Sequence, residues 1–328
     1  MKVLVLGGTR FLGRRVVERL HERGDEVLVV HRGRSEPPDW VPVRHLRCDR
    51  HDLAAHLGEI RSFSPDVVLD SSALTGTDVD VVTPALPDVA SVVLSSQDVY
   101  QAYAAMQAGR CDAAVPIDED AELRRARYPY AGLDLPGVPG DYEKLDVEER
   151  WLARRATVLR LPVIYGPHDD QRREDVVLRR VRAGRRRIPI GAGDLLWTRA
   201  HVDDLATGVL AALDSRRADG LAVNLGEPRT LPLRSWFEQI LDAAGSGAEL
   251  VRVPDDALPP DLALTAAPAQ HLLFSVRRAE ELLGWSPGDP AVRVAESVRW
   301  HLDHPPTGPT WSDDDTDADE TALASAMS

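Results

Sequence analysis

Lysine is nearly absent from this chain: of 39 basic residues, only Lys2 and Lys144 are lysines and the rest are arginine. Where arginine serves for surface charge almost everywhere, a lysine kept inside the chain marks a place that wants a compact ammonium. Lys2 merely flanks the first strand, so Lys144 is the position of interest. Cysteine is as scarce. Cys48 and Cys111 stand alone, with no CxxC pair and no Cys/His cluster at ligand spacing. That excludes a disulfide framework and a zinc site, and fits a reducing compartment. No apolar run approaches the ~20 residues that cross a bilayer. The start, Met1 to Gly8, passes straight into a buried-strand pattern without the features of a signal peptide, so a cytoplasmic protein with no membrane partner is expected. Positive charge is also short, 39 basic against 53 acidic residues, net −14. Six acids after Trp311 (Asp313, Asp314, Asp315, Asp317, Asp319 and Glu320) meet no base. A polyanion would have to overcome that field, which argues against a nucleic-acid partner.

What is present is enough for one large α/β domain or two smaller ones, with 328 residues of which 43% are hydrophobic. Short β-branched runs at 2–6, 26–30, 66–70, 91–95 and 157–161 alternate with longer amphipathic stretches. That rhythm predicts an α/β fold, a Rossmann-type doubly wound parallel sheet, over residues 1–166. Segments around 200–225 are expected to return to it. Glycine and proline interrupt the pattern from Pro167 onward, which reads as a smaller C-terminal α/β substrate lobe over 167–304. Residues 305–328 are acidic and Ala/Ser/Thr-rich with little to bury, and are expected to be disordered.

Gly7-Gly8-Thr9-Arg10-Phe11-Leu12-Gly13 lies between the first strand and an amphipathic helix carrying Val16, Val17 and Leu20. Glycines there allow a tight turn and bring backbone amides to a pyrophosphate at the helix N-terminus. The second strand ends Val30-His31-Arg32-Gly33-Arg34. An acid at that point would hold a ribose 2′-hydroxyl; an arginine accommodates a 2′-phosphate. Arg32, with Arg10 facing the same pocket, therefore predicts NADP(H) in preference to NAD(H), the alternative being that Arg32 and Arg34 are solvated loop charges. Asp49 and Asp52 are candidates for cofactor or cap contacts.

These residues resemble the extended short-chain dehydrogenase/reductases, which include NAD(P)-dependent epimerases and dehydratases, over about residues 1–303. The resemblance continues through Ser95-Ser96-Gln97-Asp98-Val99-Tyr100, Pro116-Ile117-Asp118-Glu119, Leu159 to Pro167, His201-Val202-Asp203-Asp204 and Leu282 to Pro287. The GGTRFLG form, with Arg10 at the usual middle glycine, is similar to an atypical, functionally mixed branch. The resemblance implies an adenine contact from Asp49, further cofactor contacts from Ser72 and Pro162, a small-molecule substrate and a homodimer. It also implies a catalytic Ser, Tyr and Lys, met here by Ser96 and by Lys144 in Lys-x-x-x-Glu.

The tyrosine is displaced. Four residues before Lys144 stands Gly140, and the nearest phenol is Tyr142. At i, i+2 on a regular helix it would point about 200° away from Lys144, so it serves only if the helix begins later. Tyr142 is the candidate acid/base group, with Tyr128, Tyr130 and Tyr100 as alternatives, and Asp98 is either a proton-transfer group or a cap. Trp197 occupies the position where sugar-nucleotide members carry an arginine. Arg172 and Arg173 are candidate anion binders, Arg199 is nearby but differently placed, and Trp197 and Trp236 suit a less charged ligand or core packing. Two functions stay open: an NADP(H)-dependent oxidoreductase or epimerase/dehydratase-like enzyme, and a catalytically impaired dinucleotide-binding sensor, scaffold or nucleic-acid-binding relative.

Overall fold

The computed structural model describes residues 1–35 and 40–326. The first half is built from β1 (Lys2–Leu6), α1 (Phe11–Glu22), β2 (Glu26–His31), β3 (Arg44–Arg47), α2 (Leu57–Phe63), β4 (Val67–Asp70), α3 (Gly76–Val82), β5 (Ala90–Ser96), α4 (Gln101–Gln107), α5 (Lys144–Ala153) and β6 (Thr157–Leu161). The second half holds β7 (Val163–Tyr165), α6 (Asp175–Arg182), β8 (Arg187–Ile190), β9 (Arg199–His201), α7 (Val202–Asp214), β10 (Ala222–Asn224), α8 (Leu233–Ala243), β11 (Glu249–Arg252), α9 (Arg277–Leu283), α10 (Pro290–Asp303) and α11 (Asp313–Ser325).

Seven parallel strands form the central sheet in the order β3-β2-β1-β4-β5-β6-β10. Runs such as Val3 to Leu6 and Val27 to Val30 are buried on both faces, as a sheet covered by helices on both sides requires. On one face Val3, Val5, Val27 and Val29 pack against Leu12, Val16 and Leu20 of α1 and Leu205 and Val209 of α7. On the other, Leu4, Leu6 and Val68 meet Ile60 and Phe63 of α2, Val79 of α3 and Val147 and Trp151 of α5. Strand order reverses between β1 and β4, opening a crevice at the carboxyl ends of the strands. A separate core around Val177, Ile188, Trp236 and Phe237 joins α6, α8, α10 and the β8/β11 pair. Among the described residues no helix is long and apolar enough to cross a membrane.

The tail departs from expectation. Residues 313–325 form a helix begun by a capping box between Ser312 and Asp315. Asp319, wholly buried, pairs with Arg180 of α6 at 2.8 Å, and Trp311 lies under the Arg179 and Arg180 guanidiniums. Three of the acids in the segment expected to be disordered, Asp315, Asp319 and Glu320, neutralise Arg179, Arg180 and Arg185 far away in sequence, a pairing that local composition does not reveal. Residues 327–328 of that expected segment lie outside the described residues.

Candidate active site

The glycine loop lines a cleft of about 390 Å³ at the carboxyl ends of β1, β2 and β4. Gly7 sits at φ +92°, and a Cβ built there would come within 2.7 Å of Ser71 Oγ. At Gly13 a Cβ would fall 2.7 Å from Gly8 Cα, so loop and helix backbone pack directly. α1 has no side-chain cap and no acid in its first turn, which leaves its leading amides and the positive end of its dipole for an anion. This is a cradle that fits a dinucleotide pyrophosphate and that any added side chain would fill.

Gly7, Gly8, Thr9, Arg10 and Gly13 line this cleft on one side, Arg32 and Arg34 at the end of β2, and Asp49 and Ser72 across from them. Arg10 is tied to Asp170 at 2.5 Å. Asp49 accepts from the His51 amide at 3.0 Å and so caps the turn that follows it. Ser72 donates to Leu6 O at 3.2 Å and accepts from Arg50 Nη1 at 3.1 Å. The Leu12 side chain instead enters the core, and Phe11 lines a neighbouring cavity with Trp300. Pro162 follows β6, outside this lining, next to Val163 of a second cleft. Sequence reasoning missed Arg50. Its guanidinium bridges Asp70 and the Asp78 carbonyl and forms part of the cleft wall. The only signal was its place beside Asp49 in an arginine-rich chain.

At the carboxyl end of β5 a second group assembles. α5 begins at Lys144, so Tyr142 precedes the helix and the opposed-face objection to it falls away. The Tyr142 phenol donates to Asp98 Oδ2 at 2.7 Å, and Tyr130 donates to the same oxygen at 3.2 Å and meets Tyr103 at 3.1 Å. Ser96 accepts from the Asp98 amide at 3.3 Å. Asp98 is buried, and its Oδ1 has no hydrogen-bond partner. Burial pushes the Asp98 carboxyl up, although the Tyr142 hydrogen bond and the Lys144 charge pull the other way. Burial, then the charge of Asp98, holds the Tyr142 phenol well above its ordinary value.

Lys144 lies beneath this group, buried but not sealed off, with 6% of its surface exposed. Its Nζ donates to Ala73 O at 2.5 Å and Leu94 O at 2.9 Å, leaving one of three donors. Burial pulls its ammonium down while Asp70 and Asp98 support the charge. Glu143 fixes the approach to α5, capping it through the Leu145 amide and pairing with the buried Arg124, which also donates to Asp98 O. Of the alternative phenols, Tyr100 is committed to Asn224 and Arg160, and Tyr128 is exposed.

A second cleft, about 380 Å³, opens beside this group. Trp197 lines it and donates from Nε1 to Gln97 Oε1 at 2.8 Å, one residue past Ser96. Trp236 belongs at once to this wall and to the small-lobe core.

A doubly wound sheet with a glycine cradle at its switch point and a Ser/Tyr/Lys group one strand further along defines an enzyme of the extended short-chain dehydrogenase/reductase type. The model of the NAD dependent epimerase/dehydratase family matches residues 3–226, and the chain belongs to that family. It is 30% identical over 268 residues to 2-alkyl-3-oxoalkanoate reductase of Stenotrophomonas maltophilia, covering 75% of this chain and 76% of the relative. It is 26% identical over 309 residues to the chloroplast stem-loop binding protein of 41 kDa b of Arabidopsis thaliana, covering 87% and 75%. Among solved structures, UDP-glucose 4-epimerase of Thermotoga maritima superposes with a TM-score of 0.69 at 19% identity, covering 93% of this chain and 99% of that one. That likeness concerns the fold.

Proposed function

We propose that this protein is an NADP(H)-dependent oxidoreductase that acts on a carbonyl or secondary alcohol of a small specialised metabolite. The observation that carries the reading is the convergence of Tyr142 and Tyr130 on buried Asp98, next to Ser96 and above Lys144. Arg32 and Arg34 on the cleft wall, with no carboxylate closing β2, support the 2′-phosphorylated cofactor. Gly7, Gly8 and Gly13 would admit the pyrophosphate, and the remaining Lys144 proton would reach a ribose hydroxyl. The nicotinamide, when bound, supplies the hydride chemistry.

The chain's own residues handle the proton. Ser96 orients the substrate oxygen through its hydroxyl. Tyr142, kept neutral by burial and Asp98, is poised to give a proton to that oxygen, which suits reduction better than oxidation. In the carboxylic-acid form that burial favours, Asp98 donates from Oδ2 to the Tyr142 oxygen, which frees the phenol hydrogen for the substrate, and the Asp98 proton replaces the one that Tyr142 gives. The similarity to a protein named for stem-loop binding favours the nucleic-acid-binding alternative, against which stands the net charge of −14.

Turnover of NADPH with a panel of small ketones tests the proposal. Tyr142→Phe is expected to lower kcat by about 100-fold or more while NADPH affinity, measured by calorimetry, is kept. A Tyr142→Phe enzyme as fast as wild type removes the acid role. Equal affinity for NADH and NADPH removes the cofactor preference.

A further inference from the structure

The second cleft contains a buried cation that forms no ion pair among the described residues, the charge of Glu227 reaching it only through space. Arg199, on β9, is 3% exposed. Its Nη1 reaches only Leu231 O at a long 3.5 Å, and its buried Nη2 has no hydrogen-bond partner. Its guanidinium lies 4.6 Å from the centre of the Trp236 ring. The nearby Glu227 spends a carboxylate oxygen on the Tyr165 phenol at 2.8 Å and forms no ion pair with Arg199 among the described residues. The other arginines on the wall are engaged: Arg172 with Asp175 at 2.7 Å, Arg179 with Asp261 at 3.4 Å, and Arg173 with the Ile164 carbonyl at 2.9 Å. Burial lowers the Arg199 pKa to about 10, so it stays charged at neutral pH. A buried charge without a partner is costly, and an entering anion would offset that cost.

The rest of the wall limits what that anion is. Trp197, Trp236, Phe237 and Leu264 supply apolar surface, and a single unpaired guanidinium suits one carboxylate rather than a diphosphate. Val163, next to Pro162, and the Trp197 contact to Gln97 set the cleft beside the carboxyl ends of β5 and β6, where Ser96 and Tyr142 stand. We propose that this cleft seats the substrate and that the substrate is a carboxylic acid with an apolar body, its carboxylate held by Arg199 and its reacting carbon directed toward Ser96. This rests on the oxidoreductase reading for which end reacts, but not for the acid site itself.

Calorimetric titration of the full chain, with and without NADPH, compares 4-phenylbutanoate with its primary amide. A charge-assisted contact predicts that the acid binds roughly tenfold or more tighter. Arg199→Met is expected to abolish that preference while leaving NADPH affinity unchanged, and Arg199→Lys to recover part of it. Equal binding of acid and amide, binding of neither, or a preference that survives Arg199→Met overturns the proposal. Acid preference in a protein that never oxidises NADPH sinks the oxidoreductase reading and keeps the site. NADPH turnover without acid preference does the reverse.

Discussion

Lys144 shows how much a single residue's surroundings decide. In a chain that otherwise uses arginine, the ammonium is enclosed between the ends of β4 and β5 and tied to two carbonyls. A guanidinium there must displace close-packed neighbours, which costs about 1–3 kcal/mol. Lys144→Arg is therefore expected to lower the unfolding free energy obtained from chemical denaturation by that amount and to lose most turnover. A variant with wild-type stability and rate would make the lysine incidental. The sequence marks Lys144 through scarcity and through Lys-x-x-x-Glu, because both are local signals. It marks Tyr142 less well, since its usefulness depends on where α5 starts, and that is set by the Glu143 cap and the buried Arg124 pair. For Arg199 the sequence shows only an arginine near, but not at, the expected position, and nothing of its isolation. Its isolation comes from Trp236, Leu231 and Glu227, brought together from elsewhere in the chain.

At the scale of elements, the His201-Val202-Asp203-Asp204 motif works as a joint. His201 caps α7 by accepting from the Asp203 amide at 3.3 Å. Asp203 receives Arg15 at 2.7 Å and Arg19 at 2.5 Å from α1, and Asp204 receives Arg293 at 2.6 Å from α10. Burial alone would raise the Asp203 pKa, but Arg19 and Arg15 hold it at about 2. A depressed carboxylate contributes stability above its unfolded value near 3.9, about 2 kcal/mol here, and loses it as pH falls toward 2. Asp203→Asn should thus be clearly less stable than wild type at pH 7, with the gap shrinking by pH 3. A gap independent of pH would assign the loss to packing. β1, β2, β4, β5, β6 and the glycine loop are legible from sequence because each is short and bounded by its own turn, whereas β3, with the sequence Arg44-His45-Leu46-Arg47, carries no apolar run to mark it. The helix at 313–325 is not, because what orders it is Arg180, more than a hundred residues earlier.

The whole molecule poses an electrostatic question, since a net charge of −14 should repel a polyanionic cofactor. Its basic residues must act where they are concentrated, and the wall at the end of β2 is such a place. Arg10 and Arg50 on that wall are already paired with Asp170 and Asp70, so under the proposed NADP(H) reading Arg32 and Arg34 are the charges that would face the added phosphate. Both are exposed. Exposed attraction is screened once charges lie about 10 Å apart at 0.1 M salt, whereas the amides of α1 would hold a pyrophosphate at contact distance and be screened less. NADPH affinity should therefore fall more steeply with salt than NADH affinity, the two titrations drawing together between about 0.02 and 0.3 M. Arg32→Asp should flatten the NADPH slope to that of NADH. Parallel slopes for the two cofactors in the wild-type protein would place the 2′-phosphate away from Arg32 and return that arginine to the solvated surface.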